Sequence, residues 1–367
     1  MPIRAQRLLG SACKHGGPPQ VRPLCGLGAR INIGPANRRH AVAMPHDATT
    51  KALNCLPEKK GHPVTGRIGM IGLGRMGGNM SRRIARAGLD VLAWDRAAGA
   101  RSAIAGEPRV TTVETLEAMV AELPAPRAVW MMLPAGVPTE QVLERMQALL
   151  GQGDVIVDGA NAWYRDSQRR ASRLAAQDLQ FVDAGVSGGV WGITNGYGLM
   201  VGGAAGAVAR IEPFLKALAP APDRGWLHCG PSGAGHFAKM VHNGIEYGLM
   251  QAYAEGLALL RAKEDLKLDV AAIAESWRHG TVIRSWLLDL TAEFLAEDAD
   301  LESIAPRVAD SGEGRWNSIE SIELGVPTPV MTLALMERFA SQDRSDYANR
   351  LLARLRQSFG GHAVTKG

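Results

Sequence analysis

Arg67-Ile68-Gly69-Met70-Ile71-Gly72-Leu73-Gly74-Arg75-Met76-Gly77 decides the fold of this 367-residue chain. The apolar run Ile68 to Ile71 has the length and composition of a short buried strand. It leads directly into Gly72-x-Gly74-x-x-Gly77, then into a helical stretch from Asn79 to Ala87 and a second strand, Val91-Leu92-Ala93-Trp94-Asp95. Glycine-rich turns occur in many loops, so the three glycines alone say little. In the order strand, turn, helix, strand they form the dinucleotide-binding fingerprint. The glycines permit a tight turn and let backbone N–H groups approach a pyrophosphate at the helix N-terminus. Gly72, Gly74, Arg75, Met76 and Gly77 are therefore expected at the cofactor. Asp95 lies about twenty residues on, where a carboxylate accepts both ribose hydroxyls of NAD and repels the 2′-phosphate of NADP. Arg96 beside it could pair with that phosphate. NAD is the expected cofactor and NADP the second option.

Further buried strands continue the pattern outward. Ala128 to Leu133 stops at Pro134 and Gly136, and its end, including Leu133, should border the nicotinamide side of the crevice. A helix over 138–150 leads to the strand Asp154 to Asp158 and the turn Gly159-Ala160-Asn161. Asn161 suits a plain turn, but its place after the carboxyl end of a strand favours ligand contact, with cofactor and substrate both in reach. Strand Phe181 to Ala184 opens onto Gly185-Val186-Ser187-Gly188-Gly189. This is either an ordinary glycine-rich loop or an anion cradle, in which successive N–H groups and the Ser187 hydroxyl face a carboxylate. Tyr197 to Val201 and Gly225 to Cys229 add strands around a helix over 207–219. From 270 onward the pattern is helical, over 270–279, 283–296, 315–324, 330–340 and 344–358.

Between these halves lies Gly233-Ala234-Gly235-His236-Phe237-Ala238-Lys239-Met240-Val241-His242-Asn243-Gly244-Ile245-Glu246-Tyr247-Gly248. No proline interrupts residues 233–261, and the run is rich in Leu, Met and Ala, so it reads as one long helix. Lys239, Asn243 and Glu246, at i, i+4 and i+7, share a face, with Tyr247 and His242 on its two flanks. A solvated face with a Lys–Glu pair is the plain account. Asn, His and three glycines are poor choices for a helix that only has to fold, so the strip is read as a site.

This stretch resembles the catalytic helix of the 6-phosphogluconate dehydrogenases, G-x-G-H-x-x-K-M-x-H-N-G-I-E-Y-G, nearly residue for residue. Asp158-Gly159-Ala160-Asn161 is similar to the family's D-G-G-N turn. Trp277 to Ser285 resembles W-R-x-G-x-x-I-R-S, and Arg356-Gln357-Ser358-Phe359-Gly360-Gly361-His362 resembles R-x-x-F-G-x-H. The resemblance covers 67–367 and is closest to the short-chain branch. It implies an α/β Rossmann-type dinucleotide-binding domain over 67–232, followed by an all-helical C-terminal substrate and oligomerisation domain over 233–367.

The activity implied is oxidative decarboxylation of 6-phosphogluconate to ribulose 5-phosphate and CO2, without a metal. Lys239 would be general base and then acid, and Glu246 the second acid. Asn243 would hold substrate, with Ser187, Gly188, Gly189 and His242 at its carboxylate end and Tyr247, Arg284 and Arg356 at its phosphate. Arg356 and His362 would reach the neighbouring subunit's substrate, which makes the protein at least a homodimer with shared tails. In Asp310-Ser311-Gly312-Glu313-Gly314-Arg315-Trp316, Ser311 and Glu313 stand where long-chain members carry the Lys and Thr of K-G-T-G-K-W. An anionic Glu does not bind a phosphate dianion, which questions that contact and leaves unphosphorylated gluconate open as a substrate. A β-hydroxyacid dehydrogenase acting on a small acid such as 3-hydroxyisobutyrate is the alternative. It would share the glycine turn, Ser187-Gly188-Gly189 and Lys239, but would not need Glu246-Tyr247, Arg284 or the tail.

Composition excludes other classes. An apolar content of 46% with 21% charged residues is ordinary for a globular protein, and no apolar run approaches the roughly 18 residues of a membrane span. The net charge of +5 is concentrated in residues 1–66, where ten Lys or Arg face only Asp47 and Glu58. That tail lacks interleaved aromatics and any nucleic-acid-binding motif, so neither nucleic acid nor membrane is an expected partner. It reads as a disordered extension, a targeting segment, or a start assigned too early, with Met44 or a later site as the true one. Three of the four cysteines (Cys13, Cys25, Cys55) lie in it. A single cysteine in the body, Cys229, fits a reducing cytoplasm.

Overall fold

The computed structural model describes residues 66–344, 346–360 and 363–365. The apolar run at Ile68 becomes a central strand, β1 (Arg67–Ile71), whose last four residues are all buried. The other strands are β2 (Asp90–Trp94), β3 (Val110–Thr112), β4 (Ala128–Met131), β5 (Val155–Asp158), β6 (Gln180–Ser187), β7 (Gly198–Gly203) and β8 (Trp226–Gly230). They form one sheet in the order β3-β2-β1-β4-β5-β6-β7-β8. The pairings are parallel except β6 with β7. The order reverses between β1 and β4, the topological switch point at which doubly wound sheets bind ligands beyond the strand carboxyl ends.

The two strands approach each other closely there. Gly72 has φ +91°, and a Cβ on it would stand 2.4 Å from the Met132 carbonyl oxygen. Only glycine fits both demands. Strands β1, β4 and β5 are apolar on both faces because helices cover both. One core contains Ile68, Met70, Trp130 and Val157, and the other contains Ile71, Val129, Met131 and Ile156.

Helix Ala205–Leu218 carries the chain from β7 to its parallel neighbour β8. The chain then enters the long helix, Ala234–Ala262. Its first turn rests on the sheet, where the fully buried Asp183 of β6 receives two of its free N–H groups. Gly233 N–H donates to Asp183 Oδ1 at 2.6 Å and His236 N–H to Oδ2 at 2.8 Å. A carboxylate at a helix N-terminus meets both the orphan donors and the positive end of the dipole. Helices Val270–Trp277, Trp286–Glu297, Glu313–Leu324, Pro329–Ala340 and Asp346–Gly360 follow.

Several boundaries differ from the sequence expectation. The glycine-turn helix starts at Arg75 rather than Asn79. The helix expected from 283 starts at Trp286, because Ser285 caps it by accepting the Leu288 N–H at 3.1 Å. Arg284 is thereby left in the exposed loop before the helix. The helix expected over 315–324 begins at Glu313. Tyr164–Ala175 is a helix with no apolar stripe, whose buried members are Ser167, Arg170 and Leu174. Its inward face is polar, so hydrophobic periodicity could not reveal it.

Candidate active site

A cavity of about 1010 Å³ opens beyond the carboxyl ends of β4, β5 and β6 and is closed on the far side by the long helix. Of the expected site residues, Met76, Leu133, Asn161, Ser187, Gly188, Gly189, Lys239, His242, Asn243, Glu246 and Tyr247 line it. Lys239, Asn243 and Tyr247 are buried, while His242 and Glu246 are half-buried at its edge. Segments far apart in the chain thus meet in one space.

Each segment is fixed from behind. Asp158 Oδ1 accepts the Ala160 N–H at 3.1 Å, and its Oδ2 pairs with the buried Arg170 at 2.7 Å. Arg170 in turn pairs with Glu140 at 2.8 Å. This ion-pair chain shapes the turn that presents Asn161. Gly185 of β6 lies against the helix: a Cβ there would be 2.3 Å from Lys239 Cβ and 2.9 Å from its Cγ. The absent side chain lets Lys239 sit against the strand.

The Lys239 amine donates to Asn243 Oδ1 at 2.7 Å, and His242 Nδ1 lies 3.4 Å from it. Burial pushes the ammonium below its ordinary pKa, while the carboxylates of Glu246 and Glu313 pull it back upward. Glu246 stands 3.7 Å from His242 Nδ1. Tyr247 donates to Glu313 at 3.2 Å and lies 3.1 Å from the Ser311 hydroxyl. Burial raises its phenol pKa. The site therefore pairs an amine made easier to deprotonate with a half-exposed carboxyl group, an arrangement suited to moving protons on and off a bound hydroxyacid.

At the glycine turn, a Cβ on Gly74 would meet nothing within 4 Å. Helix Arg75–Arg86 starts there with no side chain capping it. Asp95 is held by the Leu73 N–H at 2.7 Å and the Ala97 N–H at 2.8 Å, beside exposed Arg96. Open backbone at the turn and a fixed carboxylate at the end of β2 fit an NAD pyrophosphate and ribose.

Arg284 and Arg356 are exposed and do not line the cavity. His362 lies outside the described residues. Sequence reasoning did not single out Trp191, Ser285 or Trp286, which line the cavity, nor Asp183 behind it. Asp183 carried one signal, an acid inside an apolar strand, which is costly unless something pairs with it. Among the described residues no cluster of three His, Cys, Asp or Glu could hold a metal, and no helix is long and apolar enough to cross a membrane.

Comparison with known proteins agrees with this geometry. Residues 67–229 match the family described as the NAD binding domain of 6-phosphogluconate dehydrogenase, and 235–361 match the 6-phosphogluconate dehydrogenase C-terminal domain. The chain is 40% identical over 301 residues to the NAD(+)-dependent, decarboxylating 6-phosphogluconate dehydrogenase of Haloferax volcanii, covering 82% of this chain and 99% of that one. It is 34% identical to the Bacillus subtilis protein of the same description, over 75% of this chain but 61% of that longer one. The Plasmodium falciparum 6-phosphogluconate dehydrogenase structure superposes with a TM-score of 0.70 at 29% identity, covering 82% of this chain and 66% of that one. A Salmonella typhimurium 3-hydroxyisobutyrate dehydrogenase shares the fold, with a TM-score of 0.63 at 24% identity over 76% of this chain and 94% of that one. Both halves of the body match a family model, and the Haloferax volcanii relative is covered almost entirely. The chain belongs to the 6-phosphogluconate dehydrogenase family.

Proposed function

We propose that the protein oxidatively decarboxylates 6-phosphogluconate to ribulose 5-phosphate and CO2, with NAD as the preferred acceptor. The observation that carries this reading is the Lys239 amine, buried and held by Asn243 inside the cavity that Ser187, Asn161 and Glu246 also line. The turn Gly72 to Gly77, Asp95 and Leu133 would hold NAD, which would supply the hydride acceptor. Neutral Lys239 takes the proton of the substrate C3 hydroxyl as the C3 hydride leaves. The resulting 3-keto acid breaks its C1–C2 bond, releasing CO2 and passing the electron pair toward the carbonyl. Lys239, now an ammonium, protonates that oxygen to give the enediol. Glu246 delivers a proton to the carbon that lost CO2 while Lys239, neutral again, takes back the enol hydroxyl proton, so that the ketone of ribulose 5-phosphate forms. Ser187, Gly188, Gly189 and His242 hold the carboxylate end and Tyr247 the other.

We assign 67–232 to cofactor binding and 233–367 to substrate binding and assembly. Large apolar side chains stand exposed on the C-terminal helices, among them Ile322 at 80% and Leu352 at 59%, a pattern that supports burial against another subunit. In a homodimer, Arg356 and His362 of one copy complete the phosphate end of the other's site. Cys229, the one cysteine among the described residues, is a free thiol, which supports a reducing cytoplasm.

Absorbance at 340 nm with 6-phosphogluconate, NAD and NADP run in parallel and CO2 trapped tests the reading. NADH and CO2 in equal amounts are expected. Oxidation of 3-hydroxyisobutyrate, with no turnover of 6-phosphogluconate, overturns it.

A further inference from the structure

The cavity contains one buried carboxylate to which the reaction above gives no task. Glu313, the first residue of helix Glu313–Leu324, is 2% exposed. Its oxygens accept from two residues of the long helix, Asn243 Nδ2 at 3.3 Å and the Tyr247 hydroxyl at 3.2 Å. The backbone beneath it is fixed as well. Asn317 Nδ2 donates to the Glu313 carbonyl at 2.9 Å and to the Met240 carbonyl at 2.6 Å, tying the two helices together.

A carboxylate can only accept hydrogen bonds, whereas an amide has one accepting and one donating end. Glu313 therefore obliges Asn243 to turn Nδ2 toward it. Oδ1 is then left facing the Lys239 amine, where the 2.7 Å contact is found. Without an obligate acceptor behind it, the Asn243 amide could flip and present two N–H donors to an amine that must itself be neutral to work.

We infer that Glu313 is a positioning residue, locking the Asn243 amide so that its oxygen holds the Lys239 amine and placing a fixed negative charge behind that amine. The inference rests on Lys239 being the proton acceptor. Among the described residues, the charged and titratable groups around the amine are few. His242 and Glu246 face it from its own helix, and Glu313 faces it from the helix packed alongside. Tyr247 lies on Glu313, with the Arg338 guanidinium 3.7 Å from its ring centroid. On β6, Gly185 faces Lys239, while Asp183 is turned to the helix N-terminus.

Two consequences separate charge from geometry. Glu313→Gln removes the charge that favours the ammonium, so Lys239 becomes neutral at lower pH. The acid limb of kcat/KM should move down by about one pH unit. The Gln amide can also turn its own Nε2 toward Asn243 and release the lock, lowering kcat about tenfold. Glu313→Asp keeps the charge but falls roughly 1.5 Å short of Asn243. Its acid limb should stay near that of the wild type while kcat falls.

The experiment measures kcat/KM and kcat against pH for the full chain and both variants with 6-phosphogluconate and NAD. In parallel, the rate of Lys239 trinitrophenylation is followed by peptide mass spectrometry across the same pH range, a readout that needs no turnover. A lower acid limb and a lower labelling midpoint in Glu313→Gln, both restored in Glu313→Asp, support the inference. Superimposable profiles in folded variants overturn it. Should Glu313→Gln fail to fold, Glu313→Asp decides, an unchanged kcat overturning the positioning role and a lowered kcat with a wild-type limb supporting it. If the wild type does not turn over 6-phosphogluconate, the functional reading fails, and the labelling profiles still test Glu313.

Discussion

Gly185→Ala tests whether the closeness of β6 to the long helix places the reacting amine. The added methyl would stand 2.3 Å from Lys239 Cβ, 2.9 Å from its Cγ and 3.1 Å from the Gly235 carbonyl oxygen. Carbon atoms sit comfortably at about 3.5 Å or more, so relief requires a movement of roughly 1.2 Å. That movement cannot be absorbed at the far end of a flexible side chain, because Cβ is fixed to the helix backbone. The helix itself must shift or rotate, carrying Lys239, Asn243 and Glu246 with it. A misplacement of about 1 Å at a reacting group costs on the order of a hundredfold in rate. Overpacking of this kind costs about 1–3 kcal/mol, a Tm fall of about 2–6 °C for a body of this size.

The assay is steady-state kinetics at 340 nm, with NAD affinity measured separately by calorimetry and folding by thermal melt. The glycine turn and Asp95 lie on the other strands, so NAD affinity should not change. A kcat within about threefold of wild type in a folded variant would refute the argument, since the amine would then tolerate displacement that general-base chemistry does not.

Gly74→Ala makes the converse case: nothing lies within 4 Å of the added methyl and φ is −59°, so Tm should hold while NAD affinity falls about tenfold, as calorimetry would show. Lys239→Met should lower kcat about a thousandfold. The fold depresses the lysine's pKa, so the stability tied to its neutral form is present above the unfolded pKa and lost as pH falls through the folded one. Thermal melts should therefore show Lys239→Met more stable than wild type near neutrality, with the gap narrowing toward pH 10 and a constant gap counting against the assignment. Asp183→Ala strands two buried N–H groups at the helix N-terminus and should destabilise by about 3–5 kcal/mol in denaturant melts. Asp183→Asn keeps one acceptor and should cost less than half of that.

The parts of the fold written as repeating apolar patterns were legible in the sequence. Strands β1, β4 and β5 are continuous apolar runs because both of their faces are covered, and the long helix is a proline-free run of good helix formers. Helix Tyr164–Ala175 was not legible, because it turns Ser167 and Arg170 inward to reach His236 and Asp158. Strand β3 was missed for another reason: three residues at a sheet edge bury one apolar side chain, Val110. Within the site, spacing alone placed Lys239, Asn243 and Glu246 on one face, since helical periodicity fixes neighbours at i+4 and i+7.

Glu313 shows where such reading stops. As one letter in a motif it stood against the phosphate contact expected of that position, and that objection was sound chemistry. Its partners, however, lie 66 and 70 residues away, a distance that no periodicity spans. Only the packing of two helices turns a residue that cannot hold phosphate into the acceptor that orients Asn243. The same substitution that weakens the expected phosphate grip thus has a positive reason to be there. If Glu313→Gln and Glu313→Asp separate charge from geometry as expected, the residue belongs to the proton-transfer apparatus, and the cationic part of phosphate recognition, beside Tyr247, must be sought in groups outside the single-chain cavity, Arg284 and Arg356 first among them.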